Sequence, residues 1–241
     1  MSILIPYNAD AVSDSQIIDA PGASRGFSYR LPTVAVTPGS ALRLNSGQLE
    51  FGDPPPVVDM PRTEDQLAFL RGHFARQCDI WNKHARLFVE RYFEFVERQV
   101  AGATSEIAEL LSPFGTLYRP DQCAFAALRP LPRAHFDAPD AEHPVPPSAL
   151  LRAEIGFWTA SGGVAIEPLG SNTRRPADAA RRARFEAAGI RVVEMPHALM
   201  ESGDAAAFDR ALPDEFHHFW RDTALPSGPF KAVAALGSLP A

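Results

Sequence analysis

Residues 151–169 read LRAEIGFWTASGGVAIEPL and decide the fold, because apolar and polar side chains alternate on both sides of a Thr-Ala-Ser-Gly-Gly turn. An arginine-rich helical segment follows and stops at Gly189, a residue typical of helix ends. The apolar run IRVVEM then begins at Ile190. Residues 151–196 therefore predict a strand, a turn, a second strand, a helix and a third strand.

Two glutamates, Glu154 and Glu167, fall on the two strands of this predicted hairpin. If Ser161 and Gly162 form a two-residue turn, the glutamates share a face as diagonal neighbours, about 7 to 8 Å apart at the backbone. A turn one residue longer places them on opposite faces. The hairpin therefore predicts a candidate catalytic site whose existence depends on the length of its turn.

Two carboxylates on one face repel each other unless something neutralises them. Mg²⁺ is a natural candidate because it binds one or two carboxylates and keeps several waters. Arg152 and Arg191 are protein cations that could do the same. Two exposed glutamates screened by water on an edge hairpin are an equal alternative.

Three stretches of this region together resemble a known protein family: VAIEPLGS at 164–171, ARRARFEAAG at 180–189 and IRVVE at 190–194. They are similar to the core of the PD-(D/E)XK nuclease superfamily, and most similar to its branch related to very-short-patch-repair endonucleases. The resemblance covers roughly residues 115–200. In that family one strand carries an aspartate, the next carries Glu-x-Lys or a variant, and a helix and a strand complete the sheet.

The resemblance implies a Mg²⁺ site in which Glu154 matches the first carboxylate and Glu167 the second, with Asp121 or Glu194 as a third ligand. Glu154 replaces the usual aspartate, and Leu169 stands where the family has the lysine that helps position the attacking water. Nor does a histidine follow Gly170, as it does in the related branch. The resemblance thus implies a nuclease fold with an incomplete catalytic set.

Arginines are concentrated in the predicted helix and the loop before it. The guanidinium group suits phosphate, and an acidic protein surface or plain solvent would accommodate it equally well. The pattern therefore leaves a nucleic-acid site, a partner-binding site and a solvated face open. The five residues are Arg174, Arg175, Arg181, Arg182 and Arg184.

The whole chain predicts an α/β (α+β) protein with a small mixed sheet of restriction-endonuclease type, flanked by helices and by extended, proline-rich terminal arms. Its predicted parts are an arm with short strands (1–61), a main domain (62–224) and a tail (225–241). The main domain is predicted to contain a long helix (63–101), the nuclease-like core (115–200) and C-terminal helices (204–222).

Two finer predictions concern short strands. Residues 41–44 and 48–51 alternate around Asn-Ser-Gly, which predicts a hairpin inside the arm. Between the long helix and Leu151, only residues 122–128 predict a strand, because the prolines from Pro130 to Pro147 favour a loop. The arm and the tail have too few large apolar residues to form their own core, so we expect them to contact a protein partner, a second copy or the main domain.

Composition limits the classes of function. The formal net charge of −6 over 241 residues argues against a protein that coats nucleic acid with its whole surface. The two cysteines, Cys78 and Cys123, indicate neither a disulfide framework nor a zinc site. We see no basic leader at the N-terminus and no apolar run of about 20 residues that could span a bilayer. These features predict a cytoplasmic protein without membrane contact.

Three functions remain open at the level of sequence. The favoured hypothesis is a nuclease-fold protein with little or no catalysis, acting as a binding or structural subunit of a larger assembly. The first alternative is an active Mg²⁺-dependent nuclease that hydrolyses phosphodiester bonds in DNA. The second is an accessory or scaffold protein unrelated to nucleases. Mg²⁺ is the cofactor indicated, and only for the active nuclease.

Overall fold

The computed structural model describes residues 3–8, 32–44, 50–51, 62–136, 150–169 and 176–221, which form a mixed α/β structure. The strands in chain order are β1 (Ile3–Pro6), β2 (Thr33–Val36), β3 (Glu50–Phe51), β4 (Leu131–Phe136), β5 (Leu151–Thr159), β6 (Gly162–Leu169) and β7 (Arg191–Pro196). The helices are α1 (Thr63–Gln77), α2 (Lys83–Gly102), α3 (Thr104–Leu111), α4 (Pro176–Ala187), α5 (His197–Glu201) and α6 (Ala205–Ala211).

The main sheet has four strands in the order β4-β5-β6-β7. Strands β4, β5 and β6 are antiparallel neighbours, whereas β7 is parallel to β6. Because a parallel neighbour requires a crossover connection, the arginine-rich helix α4 carries the chain from one end of β6 back to the start of β7. The predicted order of strand, turn, strand, helix and strand over 151–196 is confirmed.

The turn between β5 and β6 lies one residue earlier than predicted. Thr159 pairs with Gly162, so that Ala160 and Ser161 form the turn. The Thr159 hydroxyl donates to the Gly162 carbonyl at 2.9 Å, and Gly162 has a φ of +122°, which favours glycine. A two-residue turn keeps the predicted parity, so glutamates on the two strands can still share a face.

The single helix predicted over 63–101 is wrong, because α1 ends at Gln77 and α2 begins only at Lys83. Two polar side chains break it: the Asp79 carboxylate accepts from the Trp81 backbone N–H at 2.9 Å, and the Asn82 side chain caps α2. Such side chains compete with the helix for backbone donors. As a result Trp81, which the helical period placed on the apolar face, is 89% exposed.

The strand predicted over 122–128 is also wrong. Residues Pro120–Ala126 form a 3-10 helix, and the missing strand, β4, lies in the segment predicted to be a loop. Strand β4 contains Pro132, which lacks a backbone donor, but β4 is at the edge of the main sheet, where a proline is tolerated. The Pro132 carbonyl accepts from the backbone N–H of Asn8 at 2.8 Å.

The described part of the N-terminal arm packs within this chain. Strands β1, β2 and β3 form an antiparallel sheet, and β3 pairs with β2, so the hairpin predicted from residues 41–44 and 48–51 is wrong. Residues 41–44 instead lie against the main domain, where Arg43 bridges Leu128. Residues 9–31 of the arm and the tail, 225–241, lie outside the described residues.

The main sheet buries apolar side chains on both faces. Helices α1, α2, α3, α5 and α6 cover one face, where Phe157 packs between Tyr92 and Phe216. The small sheet and α4 cover the other face, where Phe136 and Phe185 are buried. Glycines on the second face have no room for a side chain, since a Cβ atom on Gly156 would lie 2.5 Å from the Ala134 Cβ.

The C-terminal region is less helical than the prediction of helices over 204–222. Helix α6 ends at Ala211, and Asp214–Phe216 form a single 3-10 turn. Within the described ranges, no helix combines the length and apolar character that crossing a membrane requires.

Candidate functional site

Three glutamates form a row across neighbouring strands of the main sheet. Ile155 pairs with Ile166, so the next positions, Glu154 and Glu167, are directly opposite rather than diagonal. Glu194 on β7 is the partner of Glu167 on the other side. Directly opposite residues bring their Cβ atoms to about 4.5–5.5 Å, closer than the diagonal arrangement expected from the sequence. We call Glu154, Glu167 and Glu194 the glutamate row.

Arg181 of helix α4 binds the central glutamate with both ends of its guanidinium group. Its Nη1 donates to Glu167 Oε2 at 2.6 Å and its Nη2 to Oε1 at 3.1 Å. Nη2 also donates to the Arg152 carbonyl at 2.6 Å, and the guanidinium lies over the Phe185 ring. Such a bidentate pair is among the stronger and more directional ion pairs in proteins. Arg181 thus supplies the positive charge that two close carboxylates require.

Glu167 ionises at an unusually high pH for a glutamate. Burial raises the pKa of its carboxyl to about 7, and the neighbouring Glu154 adds to the rise, whereas Arg181 acts in the opposite direction. Burial prevails because the Glu167 side chain is only 10% exposed, so its charged form loses most of its hydration. The Glu167 carboxyl therefore gains or loses its proton near neutral pH.

Glu154 has a separate cation, Arg152 of its own strand, and a hydrogen bond from the segment between α1 and α2. The Asn82 side-chain amide donates to Glu154 Oε2 at 3.0 Å, and Arg152 Nη1 lies 3.5 Å from Oε1. Arg152 also lies 3.6 Å from Asp79 at the start of that segment. These contacts join residues 78–82 to the glutamate row and confirm Arg152 as a neutralising cation. Arg191, the other cation predicted, pairs with Glu215 instead.

The predicted metal-ligand set of Glu154, Glu167 and Asp121 is not assembled in this structure. The Asp121 carboxylate is held at the surface by Arg119, at 3.1 Å, and the alternative third ligand, Glu194, pairs with Arg182. Nowhere in the described part of the chain do three His, Cys, Asp or Glu side chains come together in a way that could hold a metal ion. Each carboxylate has a protein cation instead.

Two of the five predicted arginines form ion pairs with the glutamate row. Arg181 and Arg182 turn towards Glu167 and Glu194, so their charges are balanced within the chain. Arg184 lies in the last turn of α4 and is exposed. Arg174 and Arg175 lie outside the described residues. Arg181 and Arg182 reach these glutamates because α4 runs alongside the strands that carry them, and the role of the cluster as a binding surface stays a prediction.

Sequence reasoning missed Asp79 and Asn82 as site residues because the helical period continued across them. The pattern Asp-x-x-Asn at 79–82 could have indicated them, since asparagine is a favoured N-cap residue and aspartate accepts from nearby backbone donors. Asn82 serves both roles, capping α2 through the Ala85 N–H and binding Glu154.

Replacing Asn82 by alanine removes both contacts, so we expect the free energy of unfolding to fall by about 2 kcal/mol, of which the cap accounts for about 1 kcal/mol. Asn82→Asp is the matched control, since aspartate keeps the cap but faces the Glu154 carboxylate. We expect it to lose stability at pH 8 and to recover part of it at pH 4. Urea unfolding measures both, and equal midpoints for wild type and Asn82→Ala would contradict the assignment.

Comparisons of this chain with protein-family models, with curated proteins and with solved structures found no match in any of the three. The geometry of the glutamate row therefore carries the functional argument.

Proposed function

We propose that this chain is a nuclease-fold protein of the PD-(D/E)XK type that acts as a binding or structural subunit of a larger assembly and not as a catalyst. Three features support the fold part of the proposal: the antiparallel order of β4, β5 and β6, the crossover through α4 to a parallel β7, and glutamates on adjacent strands. Leu169 stands in β6 where that family has its lysine, and leucine cannot position or activate a water.

The observation that carries the proposal is the bidentate pair between Arg181 and Glu167. A metal-dependent nuclease needs free carboxylate oxygens to hold its cation. Both oxygens of Glu167 accept from Arg181, and Glu154 accepts from Asn82. Arg181 thus provides the positive charge that a metal ion provides in an active site. Unlike a metal ion, it carries no bound water for hydrolysis.

The segment between α1 and α2 is the part of the described chain that best fits contact with a protein partner. It exposes two large apolar side chains, Ile80 at 72% and Trp81 at 89%. Asp79 and Asn82 hold both ends of the segment, so these side chains project from a fixed backbone. Exposed tryptophan on a rigid support is typical of the residues that dominate binding energy at interfaces.

A nuclease assay tests the absence of catalysis. The full chain is incubated with single- and double-stranded DNA and with RNA, in Mg²⁺ or Mn²⁺, beside the Glu167→Ala variant. We expect wild type and variant to show the same background of cleavage. Metal-dependent cleavage by the wild type that Glu167→Ala abolishes would overturn the proposal in favour of the active nuclease.

A binding assay tests the subunit role. Wild-type protein and the Trp81→Ala variant serve as paired baits in lysate of the source cells, after circular dichroism has shown both to be folded. We expect the wild-type bait to retain a partner protein that the Trp81→Ala bait does not retain. Nucleic acid that binds both baits equally, with an affinity that falls as salt rises from 50 to 200 mM, would show instead that the chain binds nucleic acid.

A further inference from the structure

Two histidines from different helices stack face to face beside the end of β6. The ring centroids of His84, in the first turn of α2, and His197, the first residue of α5, are 3.4 Å apart, and the rings are within 10° of parallel. Glu201 Oε1 accepts from Lys83 Nζ at 2.9 Å and lies 2.8 Å from His84 Nε2. This contact joins α2 to α5 through groups that titrate.

The charge at this contact depends on how many of the two rings are protonated. With both rings neutral, Lys83 balances Glu201, whose pKa is lowered to about 2 by its hydrogen bonds to Lys83 and His84. With both rings protonated, three positive charges face a single carboxylate, and two of them are in stacked rings. Like charges at so short a distance are strongly unfavourable.

The pKa of His197 is lowered at this contact. Burial lowers the pKa of His197 and the nearby His84 lowers it further, against the Pro168 carbonyl and Glu201, which favour the protonated ring. A histidine with a folded-state pKa below its unfolded value of about 6.5 contributes stability above that pH. This contribution is lost as the pH falls through the folded-state value.

We propose that the His84–His197 stack is a pH-sensitive contact, which holds α5 against α2 and the end of β6 while at least one ring is neutral and releases α5 when both rings are protonated. The stack acts independently of the function proposed above. Release of α5 would also free the end of β6, because His197 hydrogen-bonds to Pro168, the residue after Glu167.

Several other charged groups on the packed elements pair away from the stack. On α2, Arg91 pairs with Glu94, while its Nε donates to the Met200 carbonyl of α5. Further along α2, Arg98 pairs with Asp209 of α6. On β7, Glu194 pairs with Arg182. On β6, Glu167 pairs with Arg181 of α4, so the charged groups that contact the stack are Lys83 and Glu201.

The experiment uses the full chain and two measurements. NMR titration of the His197 ring between pH 5 and 8 is expected to give a midpoint below about 6.5. Hydrogen exchange of the α5 backbone amides, corrected for intrinsic rates, is expected to show at least about threefold less protection at pH 5.0 than at pH 7.5, because protonation of both rings releases the helix.

Two variants make the exchange result specific. His197→Gln keeps a donor for Pro168 but cannot be charged, so the difference in protection between the two pH values should shrink to less than about twofold. His73→Gln, a substitution on α1 away from the stack, should retain the full change. A wild-type His197 midpoint at or above 6.5 would overturn the proposal, as would an unchanged pH dependence in His197→Gln. If that variant does not fold, the wild-type titration decides.

Discussion

Replacing Phe157 by alanine is expected to lower the free energy of unfolding by about 3–5 kcal/mol. The Phe157 ring is fully buried on β5, with its centroid 4.8 Å from that of Phe216 and 5.1 Å from that of Tyr92. Deleting it leaves a cavity between the main sheet and α2, and the surrounding rings cannot collapse to fill it. Because domains of this size are stable by only about 5–15 kcal/mol, the loss should be visible as a large shift in the urea midpoint.

Trp81→Ala is the matched control, since it removes a larger aromatic side chain from a position that is 89% exposed. We expect a change within about 0.5 kcal/mol. The contrast between the two variants tests whether the α1–α2 segment projects into solvent. A loss at Trp81 comparable to that at Phe157 would mean that another part of the chain covers this segment, and it would weaken the argument for a partner there.

Arg181→Met is expected to show the second large effect, and its size should depend on pH. At pH 8 the wild-type Glu167 is ionised, but without Arg181 its pKa rises further and the carboxyl takes up a proton. One pH unit above a pKa of about 7 adds about 1.4 kcal/mol to the lost hydrogen bonds, so the total cost at pH 8 should be about 2.4 kcal/mol. At pH 5 Glu167 is protonated, since burial raises its pKa to about 7, and loss of hydrogen bonds alone should cost about 1 kcal/mol. Urea unfolding at both pH values measures the difference.

Two further variants separate the ion pair from other effects of the substitution. In Arg181→Met with Glu167→Gln, no charge remains to be neutralised, so the extra cost at pH 8 should disappear. Arg182→Met removes the neighbouring arginine of the same helix, whose partner Glu194 is 37% exposed, and should cost less than about 1 kcal/mol. Equal costs for Arg181→Met at pH 5 and pH 8 would contradict the role given to Arg181.

These results would also bear on the proposed function. If Arg181 serves only to neutralise Glu167, its removal lowers stability without creating nuclease activity, because Leu169 still provides no group that could position a water. Metal-dependent cleavage by Arg181→Met would instead mean that the arginine blocks a complete site. The same purified variant therefore serves for both the unfolding and the cleavage assays.

The local pattern of the sequence determined the central unit of the fold. Alternation in residues 151–169 specified the two strands, and the polar helix with Gly189 specified the crossover. The shared face of Glu154 and Glu167 was predicted only for a two-residue turn, and the structure has such a turn at Ala160 and Ser161. Period and turn chemistry are properties of neighbouring residues, so they can be recognised without knowing what packs against them.

Several elements were not predictable in this way, because distant residues decide them. Strand β4 forms around Pro132 because β5 offers it an edge position, and residues 41–44 lie on the main domain instead of forming a hairpin. Likewise the helical period of the sequence continued across residues 78–82. In the structure, Asp79 and Asn82 accept hydrogen bonds from nearby backbone N–H groups, and Asn82 also binds Glu154 on β5. Tertiary contacts override weak local preferences in each case.

The sequence by itself placed two carboxylates on adjacent strands, and only the structure decided that they share a face and what neutralises them. Strand geometry fixes the spacing of Glu154 and Glu167, since opposite residues on paired strands must share a face. Whether a metal ion, water or an arginine neutralises Glu167 depends on how α4 packs. A guanidinium can bind both carboxylate oxygens only when it lies in the plane of the carboxylate. Arg181 does so from fourteen residues further along the chain, a relation that no local pattern specifies.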